Sequence, residues 1–473
     1  MKIYLINIGC KVNFADLSHL KTLLIEENYF IANAIEDADV VLVNTCVVTN
    51  SAAAECRQKI RKIKKNFPNI FVGVLGCYAQ LSPDEIIKNT GADVVFGINE
   101  KFKIPKILHK ILMNKQQNMR NFKNSICHTA LDAVSLAGMP CQARHNRSVI
   151  NRIFRGSYIF VSDNQNCVFD VSMSADMEAR KRGFLKLQDG CDYKCSYCVV
   201  PFVRGRSRSI AFKKIPEQIN KLISAGYKEI VVSGINLSDY KYDDKSFMDL
   251  IKMLANPDKH FISNDIRFRI SSIEPQIIDE KLIEIIADSK YICPHFHIPL
   301  QSGCDEILKK MNRKYNTKQF RKTIELINKC LPKAFIGLDV ISGFPTETDA
   351  DFMETKDFIL SLNISKLHCF TYSKRQGTIA ATMKQVPKQI KKARTNELIE
   401  LSKNKQINFN KKNIGNTLLL LPEKYDAVNK IACGHTENYL EINIKTDKKL
   451  ENNFHKIIVS EIIDDKMFGK LDL

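Results

Sequence analysis

The residues best suited to chemistry are three cysteines that lie close together in the middle of the chain. They occur as Cys191-Asp-Tyr-Lys-Cys195-Ser-Tyr-Cys198, directly after an apolar run that predicts a β-strand. Three thiolates can bind three irons of a 4Fe-4S cube and leave the fourth iron open to another ligand. A structural zinc site normally has a fourth Cys or His nearby, and none follows in this segment. The spacing therefore predicts an iron–sulfur cluster with one open iron.

A second set of three cysteines lies near the N-terminus, at much wider intervals. Cys10, Cys46 and Cys77 each follow an apolar run that predicts a strand, and these runs alternate with helical patterns. Parallel strands connected by helices end at the same edge of a sheet, so the three thiols are expected to lie at one edge. We therefore predict that they bind a second cluster. Cys56 falls inside a predicted helix and is not counted as a ligand.

Both sets belong to a series of motifs that resembles the methylthiotransferase branch of the radical-SAM enzymes and covers most of the chain. The similar motifs are Asn44-Thr-Cys-Val-Val-Thr-Asn50, Gly76-Cys-Tyr-Ala-Gln80, Gly183-Phe-Leu-Lys-Leu-Gln-Asp-Gly-Cys191, Ser271-Ser-Ile-Glu-Pro275, His297-Ile-Pro-Leu-Gln-Ser-Gly303, Gly343-Phe-Pro-Thr-Glu347 and Tyr372-Ser-Lys-Arg-Gln-Gly-Thr378. Near the C-terminus, Gly434-His-Thr-Glu-Asn-Tyr-Leu440 resembles a motif of the TRAM domain, an RNA-binding β-barrel.

The resemblance implies an enzyme that inserts sulfur into a tRNA base and methylates it, with two 4Fe-4S clusters and S-adenosyl-L-methionine as cofactors. In such an enzyme Cys10, Cys46 and Cys77 would bind the sulfur-donating cluster. Cys191, Cys195 and Cys198 would bind the catalytic cluster, which cleaves S-adenosylmethionine to a 5′-deoxyadenosyl radical. The residues expected to contact S-adenosylmethionine are Tyr197, Gly234, Asn236, Ser272, Glu274 and Gln301. A structural or packing role remains the alternative for each of these six.

The residues that follow Cys46 bear on the substrate. Val47-Val48-Thr49-Asn50 and Cys56-Arg57-Gln58 are similar to the subfamily that adds a methylthio group to C2 of N6-threonylcarbamoyladenosine at tRNA position 37. That subfamily usually has Thr where this chain has Val47. The alternatives are an isopentenyladenosine-37 tRNA methylthiotransferase and a ribosomal-protein aspartate methylthiotransferase. Two further classes are a catalytically silent RNA-binding protein and a cobalamin-dependent radical enzyme. Two intact triads argue against the first, and the lack of a cobalamin-binding motif argues against the second.

Composition favours a nucleic-acid partner. The 473 residues carry a net charge of +19 and a pI near 9.2, and a positive surplus of this size attracts polyanions. The expected partners are a tRNA anticodon stem-loop and an electron donor such as flavodoxin or ferredoxin, with the chain itself a monomer. Arg204-Gly-Arg-Ser-Arg208 is a candidate phosphate contact, whereas Lys309–Lys314 is interpreted as a solvated helix face. No apolar run reaches the roughly 18 residues that span a bilayer, so we predict a cytoplasmic protein without membrane contact.

The elements that must position these residues form an α/β chain. We predict a doubly wound parallel-sheet domain over residues 1–112, a linker and lineage-specific insertion over 113–182, a radical-SAM partial β/α barrel over 183–410, and a TRAM-like small β-barrel over 411–473. The insertion centres on Asn121–Asp176 and contains Cys127, Cys141 and Cys167. One barrel strand carries His295 and His297, which we expect to face opposite sides.

Overall fold

The structure is a computed structural model that describes residues 1–46, 50–113, 150–154, 157–162, 172–174 and 181–472. The chain forms two compact units. The first comprises Met1–Cys167 with Phe202–Arg204, and the second comprises Val168–Pro201 with Gly205–Leu473. The predicted residues Val47, Val48 and Thr49 lie outside the described ranges, as do Cys127, Cys141, Cys167 and most of the predicted insertion.

The first unit contains a seven-stranded sheet. Its strands are β1 (Lys2–Asn7), β2 (Phe30–Ile31), β3 (Val40–Thr45), β4 (Phe71–Gly76), β5 (Val94–Phe96), β6 (Ile150–Phe154) and β7 (Ser157–Val161). Its helices are α1 (Lys11–Glu26), α2 (Asn50–Asn66), α3 (Cys77–Leu81), α4 (Pro83–Thr90) and α5 (104–113). The strand order is β2-β1-β3-β4-β5-β7-β6, and every neighbouring pair is parallel except β6 with β7.

Burial explains why this sheet is covered by helices on both faces. All six residues of β3 and all six of β4 are buried, which requires helices on both faces of these central strands. On one face, Leu20 of α1 and Leu108 of α5 belong to the same apolar cluster as Leu42 of β3. The predicted doubly wound sheet is therefore confirmed. The order of β2, β1, β3, β4 and β5 places a topological switch point between β1 and β3, where ligands bind in such folds.

Two strands of the first sheet come from the stretch interpreted as linker and insertion. Strand β7 pairs in parallel with β5, and β6 pairs antiparallel with β7 at the sheet edge. Residues 150–161 thus extend the N-terminal sheet, and the one strand that the sequence predicts in this stretch, Tyr158–Val161, corresponds to β7. Strand pairing across more than fifty intervening residues has no local signal in the sequence.

The second unit contains the barrel strands and the C-terminal strands. Its first strands are β8 (Ser172–Ser174), β9 (Gly183–Lys186), β10 (Gln188–Asp189), β11 (Arg208–Ser209), β12 (Glu229–Ser233), β13 (Lys241–Tyr242), β14 (Lys245–Ser246), β15 (Arg267–Ile270), β16 (His295–Gln301), β17 (Phe335–Ser342) and β18 (Lys366–Thr371). Helix α6 (Val200–Arg204) contains residues of both units, since Phe202–Arg204 belong to the first. The other helices of the second unit are α7 (Ile215–Ser224), α8 (Phe247–Leu254), α9 (Glu280–Asp288), α10 (Asp305–Lys310), α11 (Thr317–Cys330), α12 (Asp349–Ser361) and α13 (Lys388–Lys412).

Six parallel strands build the predicted partial β/α barrel. Strands β9, β12 and β15 form one group of hydrogen-bonded neighbours, and β16, β17 and β18 form a second group. Two isolated bridges, Phe268 with Ile292 and Ser272 with His297, connect the two groups. Alternate residues of these strands, such as Ile230, Phe268 and Ile298, pack with the covering helices in one large apolar cluster. The remaining positions therefore face the inside of the barrel. Apolar runs in the sequence predict five of these strands but not β18, and the predicted ranges are Phe184–Leu187, Glu229–Val232, Arg267–Ile270, His295–Pro299 and Gly337–Ile341.

The C-terminal residues form a closed barrel of five strands, as predicted. These strands are β19 (Thr417–Asp426), β20 (Ile431–Thr436), β21 (Glu441–Lys445), β22 (His455–Ile463) and β23 (Lys466–Leu471). Inward residues such as Leu420, Ile442 and Val459 make its core. Among the described residues, no helix combines the length and the apolar character needed to cross a membrane.

Candidate metal centres

The three N-terminal cysteines follow three neighbouring strands of the first sheet. Cys46 comes directly after β3, Cys77 is the first residue of α3 directly after β4, and Cys10 is the N-cap of α1, three residues beyond the end of β1. Because β1, β3 and β4 are parallel neighbours, all three residues lie at the carboxyl edge of the sheet, beside the switch point. Cys46 and Cys77 are buried, and Cys10 is exposed.

A glycine and an asparagine hold this edge in shape. Gly76 has φ +97, and a Cβ there would lie 2.4 Å from Oδ1 of Asn44, so a side chain is excluded both by backbone conformation and by space. The side chain of Asn13 donates to the carbonyl oxygen of Thr45 at 3.0 Å. The Cys77 thiol lies 3.9 Å from Oδ1 of Asn13. Sequence analysis missed Asn13, because a single amide in a helix carries no motif.

The central cysteines lie on a tight loop after the first barrel strand. Gly190 has φ +74, and a Cβ there would lie 1.9 Å from the carbonyl oxygen of Arg206, so no side chain fits. The Cys198 amide donates to the Cys195 carbonyl at 3.1 Å, which closes a turn between the last two cysteines. The loop thus follows the carboxyl end of a barrel strand, where barrel enzymes hold their reactive groups.

Backbone amides and burial both act on the central thiols. The amide N–H of Tyr193 donates to Sγ of Cys191, and that of Val200 donates to Sγ of Cys198, each at 3.4 Å. Burial raises the pKa of Cys191 to about 11 and the pKa of Cys198 to about 12. The free thiols are therefore protonated at neutral pH, and metal binding must release these protons. The amide donors then stabilise the thiolates.

The donor sets fit clusters better than single ions. Among the residues that the structure describes, three potential ligand atoms come within 4.8 Å of one another only at Cys304, Asp351 and Glu354. Neither cysteine triad therefore has the converging geometry of a mononuclear site. A cube distributes three thiolates over three irons and requires them to be spread apart. All-thiolate donor sets are also those that iron–sulfur clusters use.

Gln188 organises two of the residues predicted to contact S-adenosylmethionine. Its Oε1 accepts the backbone N–H of Asn236 at 2.8 Å, and its Nε2 donates to the carbonyl of Gly190 at 2.7 Å. A Cβ on Gly234 would lie 2.9 Å from Oε1 of Gln188, so this glycine makes room for that side chain. The Asn236 amide lies 3.9 Å from Sγ of Cys191. Gly234 and Asn236 are thus beside the cysteine loop.

Glu274 is connected to the cysteine loop by Arg313. The guanidinium of Arg313 pairs with Glu274 and also donates to Sγ of Cys195 at 3.3 Å. The side chain of Arg313 is 3% exposed. The interpretation of Lys309–Lys314 as a solvated helix face is therefore wrong at Arg313, although Lys309, Lys310 and Lys314 are exposed.

The segment Arg204–Arg208, which was predicted to contact phosphates, exposes few of its charges. Arg204 is 1% exposed, and Arg208 lies 3.8 Å from the carboxylate of Asp189. Only Arg206 of the three is exposed, so the segment offers one available cation.

The other predicted contacts are more scattered. Tyr197 packs edge-on against Phe344, with ring centroids 6.5 Å apart, and burial raises its pKa well above the ordinary value. Ser272 forms an isolated parallel bridge with His297. Gln301 ends β16 in a left-handed conformation at φ +63, which is unusual for a residue other than glycine. Within the part of the chain that the structure describes, neither Ser272 nor Gln301 forms a hydrogen bond or an ion pair with the cysteine loop.

A polar cluster lies on the inner face of the last three barrel strands. Nε2 of His297 lies 2.7 Å from Oδ1 of Asp339, and the His297 and His368 rings are 4.8 Å apart. His295 lies on the same face, with its ring 4.7 Å from that of Tyr439. The expectation that His295 and His297 face opposite sides is wrong, because residues two apart on a strand share a face.

A partial β/α barrel with this three-cysteine loop after its first strand defines a radical-SAM protein. Residues 185–359 match the Radical SAM superfamily, and residues 2–97 match an uncharacterized protein family, UPF0004. A threonylcarbamoyladenosine tRNA methylthiotransferase MtaB from Bacillus subtilis is 34% identical over 95% of this chain and 92% of that protein. The Aquifex aeolicus MtaB is 34% identical over 93% of this chain and 96% of its own length.

The chain therefore belongs to the tRNA methylthiotransferase family of radical-SAM enzymes. This confirms the predicted reaction class, sulfur insertion with methylation, and the predicted cofactors, 4Fe-4S clusters and S-adenosylmethionine. A tRNA-2-methylthio-N(6)-dimethylallyladenosine synthase from Carboxydothermus hydrogenoformans is 28% identical over 99% of this chain and 97% of that protein.

Solved structures support the fold. The radical S-adenosylmethionine methyltransferase TsrM from Kitasatospora setae, determined with cobalamin and a 4Fe-4S cluster bound, has a TM-score of 0.55 at 14% identity and covers 80% of this chain and 77% of its own. The cobalamin-dependent enzyme OxsB has a TM-score of 0.51 at 13% identity, covering 85% of this chain and 56% of its own. At these identities the similarity shows the fold alone.

Proposed function

We propose that this chain adds a methylthio group to C2 of N6-threonylcarbamoyladenosine at position 37 of tRNA. The observation that carries the reaction is the pair of cysteine triads, each at the carboxyl ends of strands in its own unit. The substrate follows from the relatives. Four MtaB proteins are 31–34% identical to this chain, whereas four dimethylallyladenosine synthases are 28–30% identical.

The roles of the two triads are part of the proposal. Cys191, Cys195 and Cys198 hold the cluster that, with S-adenosylmethionine, supplies the one-electron chemistry needed to remove a hydrogen atom from the base. Cys10, Cys46 and Cys77 hold the cluster that supplies sulfur. Cys46 and Cys77 are buried and Cys191, Cys195 and Cys198 are half-buried, which limits the access of water to the bound clusters and lowers the local dielectric constant.

The chain's own residues bind the cofactors and orient them. Backbone amides donate to the thiolates of Cys191 and Cys198 and so stabilise their charged form. Gln188 fixes the loops that carry Gly234 and Asn236, the residues proposed to meet S-adenosylmethionine together with Tyr197. These contacts leave the groups with little freedom before the cofactors bind, which is how positioning accelerates a reaction.

The partners follow from the same assignment. The C-terminal barrel is proposed to bind the anticodon stem-loop, since its surface carries exposed lysines that can meet phosphates. An electron donor such as flavodoxin or ferredoxin would reduce the catalytic cluster. We also propose that the protein acts as a monomer in the cytoplasm.

The test begins with the metal content. After anaerobic reconstitution, the full chain should bind about eight irons and eight sulfides, from two cubes. Replacing Cys191, Cys195 and Cys198 together by alanine should halve both values, and so should replacing the other triad. Cys330→Ser, which alters an exposed cysteine at the end of α11, is the control and should change neither. A wild-type content of one cube per chain would refute the two-cluster proposal.

The substrate is tested by mass spectrometry of tRNA nucleosides. A strain that lacks the gene should lose the methylthio form of threonylcarbamoyladenosine and keep its unmodified precursor. Restoring the wild-type gene should return the product, and restoring the variant that lacks Cys191, Cys195 and Cys198 should not. Loss of the methylthio isopentenyladenosine product instead would assign the chain to the second candidate function, which the 28–30% identical relatives support.

A further inference from the structure

The turn that follows helix α10 holds the catalytic cysteine loop. The carbonyl of Met311 accepts the amide of Ser196 at 3.1 Å, and the carbonyl of Lys310 accepts its hydroxyl at 2.7 Å. The side chain of Asn312 donates to the carbonyl of Lys194 at 2.8 Å. Asn312 itself has φ +58, a left-handed conformation that asparagine tolerates better than most residues. This reversal of the chain directs the next residue, Arg313, toward the cysteines.

Arg313 uses each of its three nitrogens on a different partner. Nε donates to the hydroxyl of Tyr315 at 3.2 Å, Nη1 donates to Sγ of Cys195 at 3.3 Å, and Nη2 pairs with the carboxylate of Glu274. Tyr315 is in turn fixed by donating to the carbonyl of Leu300 at 2.9 Å. A planar guanidinium held on three sides cannot rotate, so the contact with Cys195 is built into the fold.

The charges at this site are nearly out of water. The side chain of Arg313 is 3% exposed and that of Glu274 is 12% exposed. A fixed cation beside a cluster ligand acts strongly in such surroundings, because charge interactions at a given distance are stronger in a low dielectric. Reduction adds one negative charge to a cluster, and a nearby cation and an N–H donor to sulfur both stabilise the reduced form. The carboxylate opposes this effect from the far side of the guanidinium.

We infer that Arg313 is a positioning residue that raises the reduction potential of the cluster bound by Cys191, Cys195 and Cys198, and that Glu274 moderates this effect. The inference rests on the proposed ligand role of these cysteines. It differs from the predicted role of Glu274 as a direct contact of S-adenosylmethionine, since it concerns the protein before that cofactor binds.

The experiment measures the midpoint potential of the central cluster without S-adenosylmethionine. The background is the full chain with Cys10, Cys46 and Cys77 replaced by alanine, so that one cluster reports. Electron paramagnetic resonance during a dithionite titration follows its one-electron reduction. Arg313→Met should shift the midpoint to a lower potential, and Glu274→Gln should shift it to a higher potential. Lys309→Met removes an exposed cation from helix α10, just before the turn that carries Arg313, and should leave the midpoint unchanged.

Shifts of opposite sign separate this role from simple loosening of the loop, which would move both variants the same way. An unchanged midpoint in Arg313→Met at full iron content would overturn the inference. If Arg313→Met does not retain iron, the midpoint potentials of Arg313→Lys and Glu274→Gln decide the question. Lysine keeps the positive charge but loses the contacts that the guanidinium makes with three partners. A midpoint for Glu274→Gln equal to wild type would then overturn the inference. Failure of the background protein to bind any cluster would instead count against the proposed ligands.

Discussion

A buried carboxylate joins the barrel to the C-terminal strands, and its removal gives the sharpest stability prediction. Glu229 is fully buried and accepts Nε of Arg267 at 2.7 Å and two nitrogens of Arg269 at 2.8 Å each. The remaining nitrogens of the two arginines donate to backbone carbonyls of the C-terminal barrel, those of Leu419, His435 and Glu437. Glu229→Gln would keep the shape of the side chain but leave two buried cations without a counter-charge.

The magnitude follows from the burial. Breaking a buried, hydrogen-bonded ion pair by removing one partner costs about 3–5 kcal/mol, because the other charge stays in a low dielectric. Burial alone would raise the pKa of Glu229, but Arg269 and Arg267 outweigh it and hold the pKa well below the ordinary value. A lowered carboxylate pKa stabilises the fold above the unfolded pKa of about 4.3, and this stabilisation is lost as the pH falls toward the folded pKa. The deficit of the variant should therefore be constant from about pH 5 to 8 and shrink in more acidic solution.

The assay is native-state hydrogen exchange of the amides in β12 and β15, read by mass spectrometry. Since about 1.4 kcal/mol is a tenfold change, exchange in Glu229→Gln should be faster by a factor of about one hundred to several thousand. Glu217→Gln is the control, because Glu217 pairs with Lys221 on the exposed face of α7 and should leave these rates as they are. Exchange in Glu229→Gln within about threefold of this control would refute the reasoning.

Two other predictions follow. Gly190→Ala should greatly reduce the iron bound in the barrel after reconstitution, because the new Cβ would lie 1.9 Å from a backbone oxygen. The control is Gly415→Ala, which should bind iron normally, since Gly415 has φ +83 but open space around it. Equal iron content in both variants would contradict the steric argument. Replacing the exposed pair Lys448 and Lys449 by glutamate should weaken binding of an anticodon stem-loop and make it less dependent on salt. The slope of log binding constant against log salt concentration should fall by about one unit for each lost phosphate contact. An unchanged slope in filter-binding titrations would place the RNA elsewhere.

The parts of the fold that sequence reasoning located are those with a strong local pattern. Strands β3 and β4 are continuous apolar runs, and the cysteines that follow them stand out by type and position. Strand β18 was missed because its Lys366–Thr371 sequence mixes exposed and buried positions without clear alternation. Strands β6 and β7 pair with a distant part of the chain, and local patterns hold no information about such pairing.

Arg313 shows why part of the site could not be predicted. Lysines flank it on the chain, and a run of cations is normally a solvated surface. Its burial depends on Glu274 and Cys195, which come from two other loops and are 39 and 118 positions away along the chain. Sequence identifies a group that can bind a metal, but the neighbours that tune it are decided by tertiary structure.

The two ends of the barrel strands therefore do different work. Glu229, Arg267, His295 and Phe335 are the first residues of β12, β15, β16 and β17, and all four contact the C-terminal barrel or the arginines that bind it. The cysteine loop, Gln188 and Arg313 follow the opposite ends. Substitutions at strand starts should thus change stability and RNA binding, whereas those at strand ends should change cluster chemistry, as barrel enzymes generally divide these tasks.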